Sequence, residues 1–510
     1  MATGSSAPSQ SIVRPLSALV SPDWTVRAAP DRQVLIQGLT HDSRRVKPGD
    51  LFVALRGGYF DGHQYIAQAE ALGAAALFVE EPVASALPQV IVRDTRAALA
   101  TVAARFYGHP SRALDVIGIT GTDGKTTTSY LVEAILGAAG MATGVIGTVS
   151  VRIGPDILDH ETRQTTPESD EIQRILHEMV DAKVDCAIVE ATSHGLDLHR
   201  LDEVTFRVGA VTNITREHLE HHGTVENYRR AKGILFERVA ESGGTAVINL
   251  DDEGAREMHR YAGSAPALTF SMAGAPADIV ATNIELSVMG SSFDLATPAG
   301  AIQCDTPLVG GFNVANALCA AGVALALDVE LDVIAQALSA APSVPGRMAV
   351  VDEGQPFRVI VDYAHTPESL TKVLQLLRSL NPASRIICVS GSAGERDIGK
   401  RPIQGTVSQQ LADISIFTTE DPRFEDAASI IDDIAAGARE AGGIEHVTFE
   451  RIVDREEAIQ RAFTLARPDD IVLLAGKGHE QSIIWGLEKR PWDEATVART
   501  LLRAMGSGRG

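Results

Sequence analysis

The sequence predicts an α/β protein made of three successive domains, each organised around a largely parallel sheet. Three observations carry this expectation. The chain has 510 residues, more than a single core usually holds. Its short apolar runs are continuous rather than alternating, as in strands buried on both faces. Helix-like stretches separate those runs, in the order that parallel sheets require.

The first domain is placed at residues 1–110. "DLFVALRGGYFDGHQYIAQAEALGAAALFVE" gives strand, glycine turn, helix and strand, and "QVIVRDTRAALATVAARFYG" gives strand and helix again. "HPSRA", His109–Ala113, is read as the linker. The central domain, 111–345, has apolar runs ending in "DVIGIT", "CAIVEAT", "VGAVTNI" and "AVINLDD". Within it "ADIVATNIELSVMGSSFDLATPAGAIQCDTPL" alternates and carries glycine turns, which predicts antiparallel hairpins, and "GGFNVANALCAAGVALAL" predicts a buried helix. After "APSVPG" the third domain, 346–510, repeats the strand–helix alternation, with its polar residues just past the strands, where open parallel sheets place ligands.

Composition bounds the function. Hydrophobic residues make up 45% and charged residues 22%, as in an ordinary soluble globular chain. A formal charge of −21 repels polyanions, so no broad nucleic-acid surface is expected, although a small basic pocket for one nucleotide is compatible with it. Cys186, Cys304, Cys319 and Cys388 are scattered without a CxxC pair, which predicts buried, reduced thiols. The N-terminus lacks a secretory apolar core, and Ile471–Gly476 is too short to span a bilayer. A cytoplasmic protein is expected.

The stretch "GITGTDGKTTTSY", Gly118–Tyr130, lies between a strand and a helix. It misses the generic GxxxxGK[ST] spacing by one place, since Ile119 stands where the first glycine belongs. The mechanism still fits. Gly121 and Gly124 let backbone N–H groups turn inward, the helix N-terminus adds more, Lys125 supplies a positive charge, and Thr126 offers a hydroxyl to Mg²⁺. Glu190 ends an apolar run and reads either as a turn former or as a metal carboxylate. His218 and His222 lie four apart with no third zinc ligand in sequence, and read as polar or hydrogen-bonded residues. Lys232, in a helical stretch, reads as a surface lysine with a buried stem.

Taken together, these motifs resemble the ATP-dependent Mur ligases of peptidoglycan synthesis, in the branch that adds the third peptide residue, over nearly the whole chain. "TGTDGKTT" resembles the family's TGTNGKTT, with Asp123 in place of asparagine; the resemblance implies ATP binding by Gly121, Thr122, Asp123, Gly124, Lys125, Thr126 and Thr127. "LTHDSRRVKPGD" resembles the uridine-nucleotide segment and implies roles for Ser43 and Arg44, while "TTPES" implies contacts to the muramoyl-dipeptide from Thr165 and Thr166. "EATSHGL" resembles EVSSHAL, which implies Glu190 as a Mg²⁺ ligand and Ser193 as a substrate contact. "TNITREHLEHHG" resembles TNLSRDHLDYHG, which implies His218 as a further metal ligand and displaces the plainer reading of that residue. "AKGILF" aligns Lys232 with a lysine the family carbamylates to N6-carboxylysine. "GGFNVANALCAA" keeps Asn313 and Asn316, with Gly311 where arginine is usual, and "PGRM" and "DYAHTPESL" keep Arg347 and Asp362; Asn313, Asn316 and Arg347 are implied ATP contacts. "GSAGERDIGKRP" resembles GCGGDRDxGKRP and places Arg396 at the incoming amino acid's carboxylate.

The architecture implied is the three-domain Mur ligase fold, with a P-loop ATPase domain at the centre and a Rossmann-like C-terminal domain. The activity implied is addition of a diamino acid to the D-glutamyl γ-carboxylate of UDP-N-acetylmuramoyl-L-alanyl-D-glutamate through an acyl phosphate, with ADP and phosphate released. Catalytic roles fall on Lys125, Glu190, His218 and Lys232, and metal ligation on Thr126, Glu190, His218 and carbamylated Lys232. The amino-acid pocket is implied at Arg396, Glu420, Asp421, Pro422, Arg423, Gly476 and Glu480. Here "EDPR" stands where DNPR marks members that use meso-diaminopimelate. Arg423 suits a distal carboxylate, whereas Asp421 suits a distal ammonium, and the expectation leans to L-lysine or L-ornithine. The C-terminal domain is expected to close over the central one and exclude water. The rival reading, a non-catalytic UDP-muropeptide-binding protein, leaves the retained Lys125, Thr126, Glu190, His218 and Lys232 without a purpose.

Overall fold

A computed structural model describes residues 12–27, 34–57, 61–158, 164–287 and 289–507. Residues 1–11, on which the reading of the N-terminus rests, and 58–60 of the expected glycine turn lie outside them. Packing divides the chain into two compact units, Met1–Val280 with Ala296–Gly300 and Ala315–Ile334, and Ala281–Leu295 with Ala301–Val314 and Ala335–Gly510.

Besides the two-stranded pair Arg14–Pro15 with Leu35–Ile36, the first unit is built on two sheets among the described residues. The smaller has the order Thr25–Arg27, Gln89–Ile91, Ala76–Val79, Asp50–Val53, Gly38–Thr40, parallel except for its first pair. The helix Thr95–Tyr107 covers it with Ala98, Leu99, Val102 and Phe106. Asp94 starts this helix by accepting from the N–H groups of Arg96 and Ala97, and Gly108 ends it at φ +77°. The expected linker is a helical turn, Pro110–Ala113, with Pro110 and Ser111 buried.

Within the larger, eleven-stranded sheet six consecutive strands run, in spatial order, Thr143–Ile146, Cys186–Glu190, Asp115–Thr120, Val208–Val211, Thr245–Asn249 and Ala267–Ser271, all parallel, with Val151–Ile153 and Asp156–Leu158, each antiparallel to its neighbour, beyond the first. Its central strand, Asp115–Thr120, is the first of these in the chain. The sequence then builds out to one side and afterwards to the other. That reversal creates a switch point at the strand's C-terminal end, where a ligand crevice opens. The helix Val225–Glu241 packs tightly on this sheet: a Cβ on Gly118 would lie 2.6 Å from Leu235, and one on Gly209 would lie 2.6 Å from Val239. Gly118 therefore serves helix packing, and the phosphate loop proper begins at Gly121.

The predicted hairpins are present as three neighbouring strands, Ile279–Ser287, Gly290–Thr297 and Gly300–Thr306, followed by the buried helix Gly311–Leu325. The second unit is organised by a six-stranded sheet in the order Ala349–Val351, Arg358–Asp362, Ile471–Ala475, Ile386–Ser390, Ile414–Phe417, Phe449–Arg451, parallel apart from its first pair. Its helix Pro367–Leu380 starts with a capping box between Thr366 and Ser369 and proline in the first turn. All four cysteines are free and buried.

Candidate active site

In the first unit the strand Asp115–Thr120 delivers the chain into the loop Gly121–Gly124, and the helix Lys125–Ala138 follows. Gly124 sits at φ +84°, where an added Cβ would lie 2.4 Å from Asn316 Oδ1. This close approach explains both the glycine and the position of Asn316, which also lies 3.5 Å from Thr128 Oγ1. The loop is clamped from the neighbouring strand end. Thr122 N donates to the Asn213 carbonyl at 2.7 Å, Asp123 N donates to Asn213 Oδ1 at 3.0 Å, and the Asp123 carbonyl accepts from Thr212 Oγ1 at 2.6 Å. These bonds use the backbone of Asp123, so the exchange of asparagine for aspartate leaves the loop's frame intact. Thr122 Oγ1 lies 3.0 Å from Tyr228 OH and accepts from Thr215 N. Thr127 is buried in the first turn of the helix.

Glu190 is the last residue of its strand and is 1% exposed. Its carboxylate accepts from Thr126 Oγ1 at 3.0 Å, from Thr148 Oγ1 at 2.7 Å and from Thr148 N at 3.1 Å. It is therefore a carboxylate held at the rim of the phosphate loop, not a turn former. Thr165 joins the group through Thr148, 3.0 Å between hydroxyls. Thr166 Oγ1 donates to the Glu190 carbonyl at 2.7 Å and lies 2.9 Å from Thr192 Oγ1. Ser193 is buried at the start of the short helix Ser193–Asp197.

Lys232 corrects the surface-lysine expectation. Its residue is 1% exposed, and its Nζ donates to the Gly121 carbonyl at 2.7 Å and lies 4.8 Å from the centre of the Tyr228 ring. Lys125 Nζ donates to the same carbonyl at 2.9 Å and to that of Thr122 at 2.9 Å. Burial, and then the neighbouring Lys125 charge, push the Lys232 amine well below the usual lysine range. His218 lies at φ +54° before the helix Leu219–His222, half-exposed, with its ring 4.7 Å from that of His194 and 6.3 Å from that of Tyr228.

In the segment expected to take the uridine nucleotide, Ser43 is buried and donates to Gln68 Oε1 at 3.0 Å, whereas Arg44 is exposed and paired with Asp42 at 2.7 Å. His41, in the same segment, reaches Asp170 at 2.8 Å, and Arg96 and Arg200 both engage Glu168.

In the second unit the predicted amino-acid residues gather past the strand ends. Glu420, Asp421 and Pro422 are buried. Asp421 Oδ1 accepts from Lys477 Nζ at 2.9 Å and from Ile484 N at 3.0 Å, and Lys477 also bonds Glu480. Lys477, wholly buried, is the residue that sequence reading overlooked; its only signal is its place between Gly476 and Glu480 after a strand. Arg423 is held at φ +54° by bonds from its N–H to Ile484 O and from Gly486 N to its own carbonyl, and its Nε is buried without a hydrogen-bond partner among the described residues. Glu420 Oε2 is likewise unpartnered, and a Cβ on Gly476, at φ +103°, would lie 3.0 Å from it. Arg396 is exposed. Arg401 is a structural ion pair instead, 2% exposed and bonded to Glu425 and Asp433. Arg347 lies 5.0 Å from the centre of the Tyr363 ring, and the Asn313 amide donates to the Val309 carbonyl at 2.9 Å.

A phosphate loop at a sheet switch point, with a buried carboxylate on its threonine and two lysines on one carbonyl, defines an ATP-dependent enzyme. Family models agree and resolve the class further. Residues 35–107 match the Mur ligase family catalytic domain, 119–324 the Mur ligase middle domain, and 346–478 the Mur ligase glutamate ligase domain. The UDP-N-acetylmuramyl-tripeptide synthetase of Roseiflexus sp. is 46% identical, covering 93% of this chain and 96% of its own length. The UDP-N-acetylmuramoyl-L-alanyl-D-glutamate–2,6-diaminopimelate ligase of Geobacillus kaustophilus is 42% identical, with 92% and 96% covered. A solved structure of a UDP-N-acetylmuramoyl-L-alanyl-D-glutamate–2,6-diaminopimelate ligase superposes with a TM-score of 0.66 at 30% identity, covering 92% of this chain and 95% of that one. The chain belongs to the Mur ligase family of ATP-dependent peptide ligases.

Proposed function

We propose that this chain joins a diamino acid to the D-glutamyl γ-carboxylate of UDP-N-acetylmuramoyl-L-alanyl-D-glutamate. The observation that carries the reading is the Glu190 carboxylate, hydrogen-bonded at 3.0 Å to Thr126 at the mouth of the phosphate loop. The substrate carboxylate attacks the γ-phosphorus of ATP, forming an acyl phosphate and releasing ADP. The incoming amine then attacks the acyl carbon, loses a proton, and expels phosphate. The protein supplies position and charge rather than a nucleophile. Loop N–H groups and Lys125 hold the phosphates, Thr165, Thr166 and Ser193 face the muramoyl-dipeptide, and Ser43 and Arg44 serve the uridine end. Asn313, Asn316 and Arg347 complete the nucleotide set.

The donor set fits Mg²⁺. Thr126 and Glu190 present hard oxygen atoms, with His218 and a carbamylated Lys232 as further ligands. Bound Mg²⁺ would neutralise charge on the transferring phosphoryl group. Lys232 suits carbamylation because its buried amine shares one carbonyl with Lys125, which disfavours the ammonium form; a neutral amine attacks CO₂. Carbamylation replaces a second cation by an anion beside Lys125. A ¹³C carbamate resonance after exposure to labelled bicarbonate, absent in Lys232→Ala, tests this.

For the incoming residue the structure alters the balance drawn from sequence. Asp421 is already neutralised by Lys477, which removes the main reason to expect a distal ammonium, and the Arg423 Nε has no hydrogen-bond partner among the described residues. We assign the substrate as meso-diaminopimelate, its distal carboxylate on Arg423. L-Lysine or L-ornithine is the second reading, favoured by the surplus of Glu420, Asp421 and Glu480 over Lys477. Phosphate release with each diamino acid and the UDP-dipeptide decides between them. Residues 1–110, 111–345 and 346–510 are assigned to UDP-substrate, ATP and amino-acid binding. No helix among the described residues is long and apolar enough to cross a membrane, and we place the reaction in the cytoplasm, with its ATP supply.

A further inference from the structure

Beside the phosphate site lies a group of side chains that the ligation chemistry does not use. Asp197 ends the helix Ser193–Asp197, and His221 and His222 end the helix Leu219–His222. One ligand atom from each of these three residues lies within 4.8 Å of the others. His221 Nε2 is 2.8 Å from Asp197 Oδ2, and His222 Nδ1 is 4.0 Å from the same oxygen. Tetrahedral ligands about 2.0–2.1 Å from a Zn²⁺ ion stand roughly 3.3 Å from one another. The spacings therefore bracket what a metal requires, and Asp197 and His221 are surface side chains free to adjust by that amount.

The His222 ring is buried, the residue being 7% exposed, with Nδ1 the nitrogen nearest Asp197 and the opposite nitrogen, Nε2, also free of a competing partner among the described residues. Buried polar atoms are seldom left so. The His194 ring lies over the group, 4.4 Å from the His221 ring and 5.4 Å from the His222 ring, so a third imidazole is within reach. The pattern that this segment resembles, TNLSRDHLDYHG, has tyrosine at the position of His221. His221, which completes the group, is thus not a residue of the pattern that implies the ligation chemistry.

We propose that Asp197, His221 and His222 bind one late first-row transition-metal ion of the Zn²⁺ class, at a position distinct from the magnesium ligands. Two imidazoles and one carboxylate form a set that suits Zn²⁺, Co²⁺ or Ni²⁺, with water in the remaining place. Mg²⁺ prefers an all-oxygen octahedron and does not compete there. A bound ion ties the helix that carries Ser193 to the helix that His218 precedes.

The test is a Co²⁺ titration of the metal-stripped full-length protein in excess Mg²⁺, followed by visible d–d absorption and by competition with a chromophoric chelator. Wild type should bind one equivalent, with bands of a low-coordinate nitrogen–oxygen site that Zn²⁺ abolishes. His221→Phe and Asp197→Asn, both at exposed positions, should each weaken binding about tenfold or more. His218→Ala should leave it unchanged. Equal Co²⁺ affinity in wild type and His221→Phe overturns the proposal. So does a signal lost in His218→Ala but kept in His221→Phe, which would assign the ion to the magnesium ligands.

Discussion

Protonating His41 should stabilise the first unit at neutral pH and cease to do so in mild alkali. His41 Nδ1 lies 2.8 Å and 3.0 Å from the two carboxylate oxygens of Asp170, whose side chain is 7% exposed. Burial opposes the positive charge, but Asp170, with Glu168 and Glu171 behind it, outweighs burial and raises the histidine from 6.5 to about 9. Because the folded value is the raised one, the contribution is fully present below 6.5 and disappears as the pH rises through about 9. At about 1.4 kcal/mol per tenfold change in proton affinity, the difference amounts to about 3 kcal/mol. For a unit of roughly 300 residues that corresponds to a melting shift of roughly 5 °C. The assay is thermal unfolding of wild type and of His41→Gln, Asp170→Asn and the double variant, at about pH 6 and about pH 10. A large coupling between the two positions at the lower pH should collapse at the higher one. A coupling equal at both would refute the charged-pair reasoning.

Other consequences follow from the same geometry. Glu190→Gln keeps the shape but loses the anion on Thr126, and should lower kcat by about 10²–10³ with little change in melting temperature. Arg423→Ala should reduce kcat/KM for meso-diaminopimelate by roughly 10–100-fold while barely affecting ATP affinity, because one charge-assisted pair is removed; an unchanged value would return the assignment to L-lysine or L-ornithine. Arg455 is 2% exposed, pairs with Glu494, and donates to the carbonyls of Thr419 and Ala475, the residues just before Glu420 and Gly476. Arg455→Met should destabilise the second unit by about 3–5 kcal/mol, read by denaturant unfolding, and raise KM for the amino acid.

Much of the fold is readable from the chain because its strands are continuous apolar runs with glycine or polar ends. "DVIGIT" becomes the strand that leads into the phosphate loop and "CAIVE" its parallel neighbour, ending in Glu190, and the hairpin segment alternates as hairpins do. Side-chain partners are less legible, since they depend on which strands become neighbours. Lys232 looks like a helix-surface lysine because its own segment is amphipathic. It is buried because Gly118 and Gly209, distant in sequence, let that helix approach the sheet. Asp421 reads as a free carboxylate until Lys477, 56 residues later, is found against it. Arg401 sits in a motif of ligand-binding basic residues and yet is spent on Glu425 and Asp433, contributed by a neighbouring loop and helix. The histidine group has the same origin, two short helices brought together by the fold.

The central claim is that the loop ahead of the helix Lys125–Ala138 grips ATP so that a peptide carboxylate becomes reactive. The most direct measurement is phosphate release by wild type and Lys125→Ala, given Mg²⁺, UDP-N-acetylmuramoyl-L-alanyl-D-glutamate and a panel of diamino acids. The account predicts release that requires all three substrates and falls by about 10³ or more in the variant. Ligation that proceeds normally without the Lys125 amine, or a wild-type protein that never consumes ATP with any member of the panel, would contradict it.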